Sequence, residues 1–245
     1  MLTAALAAFA ILTRVPIRRS FSPSEISTAA PFFPLVGALI GALQAFFAYL
    51  LTPFLPSTLL AAGLLAIAAL ATGGLHLDGL ADMSDGFGGG SSREDVLRIM
   101  RDSNIGAFGA VSLVLILLIR ASAISTLIDR RAAVSSLVLA PMLGRWTMVA
   151  LPYALRYARP EGGLGAVVST TTSAQLAVTT VIAALLSFAI AGPLAVGGWL
   201  VAVLVTLAAG SLAFRRIGGY TGDILGANNE LTEAAVLVAG VVLTR

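Results

Sequence analysis

The chain has 245 residues, 58% hydrophobic and only 11% charged, with a formal net charge of +3. Soluble globular domains carry about a quarter charged residues, so this composition, with a mean hydropathy of +0.97, excludes a separate soluble catalytic domain and marks a polytopic membrane protein. The absence of cysteine excludes disulfides, thiolate metal centres and cysteine nucleophiles; a single histidine excludes a histidine-rich zinc site, and a positive charge made only of arginine reads as topology and phosphate contact rather than nucleic-acid binding.

In chain order, the apolar run Leu2–Leu12 is too short for a bilayer that needs about 20 residues. It is expected to be an interfacial or re-entrant helix. No basic residue precedes it and no small-residue cleavage site follows, which argues against a cleaved signal peptide. Arg14, Pro16, Arg18 and Arg19 then form a basic patch suited to lipid headgroups or to an anionic substrate. Six or seven spans are expected at about 30–52, 57–75, 105–128, 132–154, 174–192, 194–213 and 230–244, the last being the shortest and opening on Glu230. Their Ala and Gly content allows helices to approach closely. The fold class is therefore all-α: one polytopic transmembrane helical bundle over residues 1–245, with an N-terminal interfacial helix and catalysis placed on loops and helix ends.

Orientation follows from arginine. If the 14–29 segment is cytoplasmic, so are the 76–104, 155–173 and 214–229 loops, and these hold most of the arginines outside the spans. Arg130, Arg131 and Arg245 fall on the opposite side. The active face is expected to be cytoplasmic. Arg120 and Arg145 fall within spans, where a charge is costly and faces either a functional cavity or an ion-pair partner. Pro141 and Gly144 should kink the helix that carries Arg145.

Between the second and third spans lies GGLHLDGLADMSDGFGGGSSREDVLRIMRDSNIGAFG, with most of the chain's aspartates and its only histidine. Asp78, Asp82 and Asp85 stand at i, i+4 and i+7, so a helix through them stacks three carboxylates on one face. That repulsion is relieved by a bound hard divalent cation, and oxygen-only ligands point to magnesium. Asp95 and Asp102 repeat the spacing in EDVLRIMRDS beside Arg93, Arg98 and Arg101, so phosphate-binding arginines accompany metal-binding carboxylates. Glycines flank the stretch and permit close approach of a ligand. His76 is a candidate base or a structural histidine.

A second polar cluster, GGYTGDILGANNELTE, contains Thr221, Asp223, Asn228, Asn229, Glu230 and Glu233 on the same expected face. Capping by Asn229 or Thr232 is its modest alternative reading. Asp223, between glycines, is the strongest functional member.

These motifs, together with LTRVP and PFFPLVGALIG near the start, resemble the cobalamin synthase family across most of the chain and in the same order. The resemblance implies a magnesium-dependent enzyme of the bacterial inner membrane that joins adenosylcobinamide-GDP to α-ribazole or its 5′-phosphate and releases GMP. It places the acidic motif on Asp78, Asp82 and Asp85, followed by Arg98, Arg101 and Asp102, and the glycine-aspartate motif on Thr221, Gly222, Asp223 and Glu230. The expected metal set is Asp78, Asp82, Asp85 and Asp102, and the expected phosphate and substrate contacts are Arg98, Arg101, Arg14, Thr221 and Asn229. Asp102, Asp223 and His76 are the candidates for proton transfer. The partners are the two substrates and the bilayer, with no nucleic acid and with self-association left open. Asp82-Met83-Ser84-Asp85-Gly86 also resembles the opening of the CDP-alcohol phosphotransferase signature, although the later paired aspartates are absent. A phospholipid synthase of that kind, and a cation-coupled transporter, are the alternative readings.

Overall fold

The computed structural model describes residues 1–159, 162, 164–167 and 171–245, and all its regular elements among these are helical. Helix α1 (Leu2–Leu12) is the short apolar helix expected at the N-terminus, and α2 (Pro23–Ser27) is closed by a capping box between Ser22 and Glu25. A 3₁₀ turn (Ala30–Phe32) leads into α3 (Phe33–Leu51), which packs on α4 (Ser57–Thr72). Three further long helices, α7 (Ala107–Asp129), α8 (Ala133–Ala154) and α10 (Ser173–Ala191), precede α11 (Leu194–Ile217) and α12 (Gly222–Leu243). Five helices are long and apolar enough to cross a membrane, and α4 with α5 (Leu75–Gly89) makes a sixth candidate if that bent pair is counted as one span. The protein is a multi-pass membrane bundle.

Burial sorts the helices. The most apolar window of α8 is 83% buried, whereas those of α10 and α11 are 22% and 28% buried, so α8 is the axis and the latter two face lipid. Gly37 and Gly41, four apart on α3, let α8 approach until a Cβ at Gly37 would lie 2.9 Å from the Met142 Cα and one at Gly41 2.6 Å from the Val138 Cα. This is the small-xxx-small packing by which membrane helices associate. Pro141, inside α8, lies in this same contact, where the neighbouring helix tolerates the lost backbone bond. Trp146 stacks edge-on against Trp199 at 4.7 Å and ties α11 to the axis.

The expected final span at 230–244 is the second half of α12, which starts at Gly222 because Thr221 caps it by accepting the Ile224 N–H at 3.3 Å. Asp223 therefore lies in a first helical turn. Asn228, Asn229 and Glu230 lie inside the helix, and neither Asn229 nor Thr232 caps anything. The hairpin turns 52–56, 130–132 and 192–193 lie at one end of the bundle. The long connections, which hold α2, α5, α6 (Arg93–Ile99) and α9 (Leu164–Val167), lie at the other. The site is built at that end.

Candidate active site

Gly73 and Gly74 both adopt left-handed backbone, with φ of 66° and 72°, and between them α4 turns by 92° into α5. A side chain in that conformation is strained, which accounts for the glycine pair. The Arg14 side chain lies across Gly73, and its backbone N–H donates to the Ala71 carbonyl at 2.7 Å. The turn thus fixes α5 and the N-terminal arginine together.

Helix α5 runs through Asp78, Asp82 and Asp85, as the spacing predicts. It crosses α12 at two glycines: a Cβ at Gly79 would lie 2.8 Å from the Asp223 carbonyl oxygen, and one at Gly226 would lie 3.2 Å from the His76 Cα. That crossing brings Asp223 to the other carboxylates. Asp82 lies in the electrostatic field of Asp223, Asp78 and Asp85 together. Asp78 is exposed and Asp82 half-buried, and no hydrogen-bond donor among the described residues reaches either carboxylate. Asp223 is held through Oδ2 by Arg159 at 2.7 Å and by the Thr221 hydroxyl at 3.3 Å.

Two expected ligands sit differently. Asp85 is buried, and its two oxygens accept the N–H groups of Gly106 and Gly109 at 2.7 and 2.8 Å, so it caps the N-terminus of α7. A Cβ at either glycine would collide with that carboxylate, which explains the G-x-x-G of this segment. Asp102 does not continue the helix of Asp95, because α6 ends at Ile99. Exposed in the following loop, it accepts the Asn104 backbone N–H at 3.0 Å and the Asn104 amide at 2.7 Å. The Asn104 backbone bond, then its amide, hold its pKa below the usual carboxylate range. Asp95 is lowered likewise, by Arg98 at 2.7 Å and Ser91 at 3.1 Å. These two carboxylates are satisfied locally, whereas Asp78 and Asp82 are not.

Arginines hold the frame. Arg93 donates to the carbonyls of Ile217 and Ala158 at 3.0 and 2.8 Å, and Arg216 to those of Phe87 and Gly90 at 2.6 and 2.8 Å, at the C-terminal end of α5. The segment before Arg159 pairs with Tyr220 through backbone bonds, Ala158 N–H to the Tyr220 carbonyl at 2.8 Å and Tyr220 N–H to that of Arg156 at 3.0 Å. This pairing sets Arg159 and Tyr157 beside Asp223. Burial pushes the Tyr157 pKa up against the opposing field of Arg159. Sequence reasoning did not single out Arg159 or Tyr157; the only local signal is the run RYAR after α8.

Two cavities meet at Asp78. One, of about 620 Å³, is lined by Arg14, Asp78, Asp82 and Ser103. The other, of about 200 Å³, is lined by His76, Asp78, Tyr157, Arg159 and Asp223 over a floor of hydrocarbon. A carboxylate-rich partition between two chambers suits a transfer between two substrates.

Deeper in the bundle, Arg120 pairs with Glu230 and Glu233, and Arg145 pairs with Glu233. Asn229 belongs to this network, donating to Glu233 at 3.0 Å and Glu230 at 3.3 Å, and is fully buried away from both cavities' lining. The intramembrane arginines thus take the ion-pair reading.

A family model for cobalamin-5-phosphate synthase matches residues 4–241. Among curated proteins, the chain is 40% identical over 238 residues to the adenosylcobinamide-GDP ribazoletransferase of Syntrophobacter fumaroxidans, covering 94% of each chain. It is 41% identical over 242 residues to that of Pseudomonas aeruginosa, covering 96% of each, and 37% identical over 246 residues to that of Citrobacter koseri, covering 95% of this chain and 97% of the relative. No solved structure matches. With one family model spanning nearly its whole length, the chain belongs to the cobalamin-5-phosphate synthase family.

Proposed function

We propose that the protein is an adenosylcobinamide-GDP ribazoletransferase, transferring adenosylcobinamide phosphate to α-ribazole or its 5′-phosphate with release of GMP, at the cytoplasmic face of a bacterial inner membrane. The relatives' shared name supports the substrates. The observation that carries the chemistry is the partition of Asp78, Asp82 and Asp223, drawn from two distant motifs to the junction of two cavities. The cytoplasmic assignment rests on arginine, ten of which lie in loops of the active face.

Magnesium is the cation this donor set fits. Among the described residues no three His, Asp or Glu side chains are placed so that together they could hold a metal ion, but magnesium is commonly held by one or two carboxylates with water and substrate phosphates completing its shell. Asp78 and Asp82, which no donor among the described residues reaches, would hold it. When bound, the ion would supply positive charge to offset that of the diphosphate.

The chain's own residues account for the rest. Arg14, in the wall of the larger cavity, faces phosphate oxygens, joined by Arg101 from the loop after α6. The acceptor hydroxyl oxygen forms a bond to the phosphorus that carries the cobinamide, the bond from that phosphorus to the GMP oxygen breaks, and the hydroxyl proton passes to Asp223. Arg159 holds Oδ2 of that carboxylate and leaves Oδ1 without a donor among the described residues. The test is GMP release by the detergent-purified protein given adenosylcobinamide-GDP, α-ribazole 5′-phosphate and magnesium. Release that needs the acceptor and is lost with EDTA is the expected result. No release from folded protein overturns the assignment and brings CDP-alcohol substrates forward.

A further inference from the structure

His76 is 2% exposed, and its two ring nitrogens have unequal surroundings. Nδ1 lies 3.2 Å from Nη2 of Arg145, whose Nη1 is paired with Glu233. A guanidinium can only donate, so Nδ1 is the acceptor, and in the neutral ring the proton then resides on Nε2. Nε2 is buried and has no partner among the described residues. Buried polar groups are nearly always paired, so a lone, oriented N–H on a residue lining a cavity asks for an acceptor from a ligand.

The cavity limits which ligand. At about 200 Å³ it is smaller than the roughly 300–1,000 Å³ of sites that enclose a whole drug-sized molecule, so it admits one ring system and leaves the remainder outside. Leu12, Phe33, Met148 and Leu225 contribute hydrocarbon, against which a ring edged with donors and acceptors would be left unsatisfied. Guanine carries such an edge. The dimethylated benzimidazole base of a ribazole presents one free ring-nitrogen acceptor and is otherwise hydrocarbon.

Resting on the transfer reading above, we propose that the smaller cavity is the acceptor-base subsite, with the His76 Nε2–H donating to the free ring nitrogen of a benzimidazole nucleoside. His76 is then a specificity-determining donor and not the base of the reaction. The Arg145–Glu233 pair fixes its tautomer. Asp78 and Asp223, in the same wall, stand where the ribose would emerge toward the larger cavity, which takes the nucleotide-activated donor.

The test uses the full-length protein in detergent. Binding of α-ribazole without donor or magnesium is measured by equilibrium dialysis, and acceptor KM by GMP release, against the indole riboside that lacks the ring nitrogen. The wild-type protein should bind the indole riboside about tenfold or more weakly, as loss of one buried hydrogen bond implies. His76→Phe should erase that preference and raise acceptor KM by a similar factor while leaving donor KM unchanged. Met148→Trp, which fills the cavity, should weaken acceptor binding alone and serves if His76→Phe fails to fold. Equal binding of the two ribosides by an active wild-type protein overturns the subsite, as does a His76→Phe effect confined to donor KM and to inhibition by GMP, which would seat guanine there instead. Absence of any acceptor-dependent GMP release with natural substrates would instead overturn the transfer reading itself.

Discussion

Two groups of charge occupy this protein, and they are balanced in opposite ways. In the buried group, Arg120 and Arg145 meet Glu230 and Glu233, and Asn229 fills further acceptor positions. At the candidate site, Asp78, Asp82 and Asp223 converge with one arginine among the described residues in direct contact, Arg159 on Asp223. Charge in a membrane interior persists only when the fold itself completes it. Carboxylates at a solvent-open mouth can be left in excess, because what binds there completes them. Neutrality within the fold marks a brace, and a local deficit of cations marks a binding site.

The largest effect should come from the unbalanced group. Asp82→Asn is expected to lower turnover by at least about 10²–10³-fold, the loss typical when one preorganised electrostatic contact is removed, with little change in unfolding midpoint. Activity kept at ordinary magnesium would break the comparison on its catalytic side. The balanced group should respond in the other currency. Glu233→Leu leaves the buried Arg145 without a carboxylate and Arg120 with Glu230 alone, and is expected to cost about 3–5 kcal/mol of stability, measured by unfolding in mixed detergent micelles. A folded, stable Glu233→Leu protein that has lost only activity would move this network into the reaction.

Much of this division was legible in the sequence, and the reasons for the remainder are physical. The helical spacing of Asp78, Asp82 and Asp85 gave α5 directly, because period 3.6 is local information. The five long apolar helices were legible from apolar runs, whereas α4 reaches span length only together with α5, and α12 has a polar first half that is buried against α5 and α8 and so lacks the hydrocarbon signature of a lipid-facing helix. The partners of Arg120 and Arg145 were not legible, since pairing across 88 to 113 residues depends on how three helices pack. Arg159 escaped notice for the same reason: its place beside Asp223 depends on the backbone pairing near Tyr220. Asp85 shows a further limit, because spacing puts a carboxylate on a face without telling what neutralises it. Here two backbone N–H groups do.

Asp85 therefore provides a sharper test, since it shares a helix with the metal candidates but is satisfied as the buried group is. Asp85→Asn retains one acceptor oxygen for two N–H donors, and should lower stability by about 1–2 kcal/mol, the scale of a lost helix cap. The magnesium concentration for half-maximal GMP release should not move. A shift in that concentration would return Asp85 to the metal set and require its carboxylate to leave α7 on binding.

The smallest effect is expected at Arg98, which the sequence places among the phosphate ligands and the structure places on the surface. Its side chain is 71% exposed and paired with Asp95 three residues earlier on α6. An exposed pair of this kind contributes about 0–1 kcal/mol, so Arg98→Ala should leave the unfolding midpoint almost unchanged. Its kinetic effect then isolates the one role left to it. If Arg98 swings from Asp95 to the donor diphosphate, donor KM rises while acceptor binding and stability stay fixed, and Asp95→Asn, which frees the arginine, lowers donor KM. If neither KM responds, the phosphate is held by Arg14 and Arg101, and the exposed face of α6 belongs with the frame.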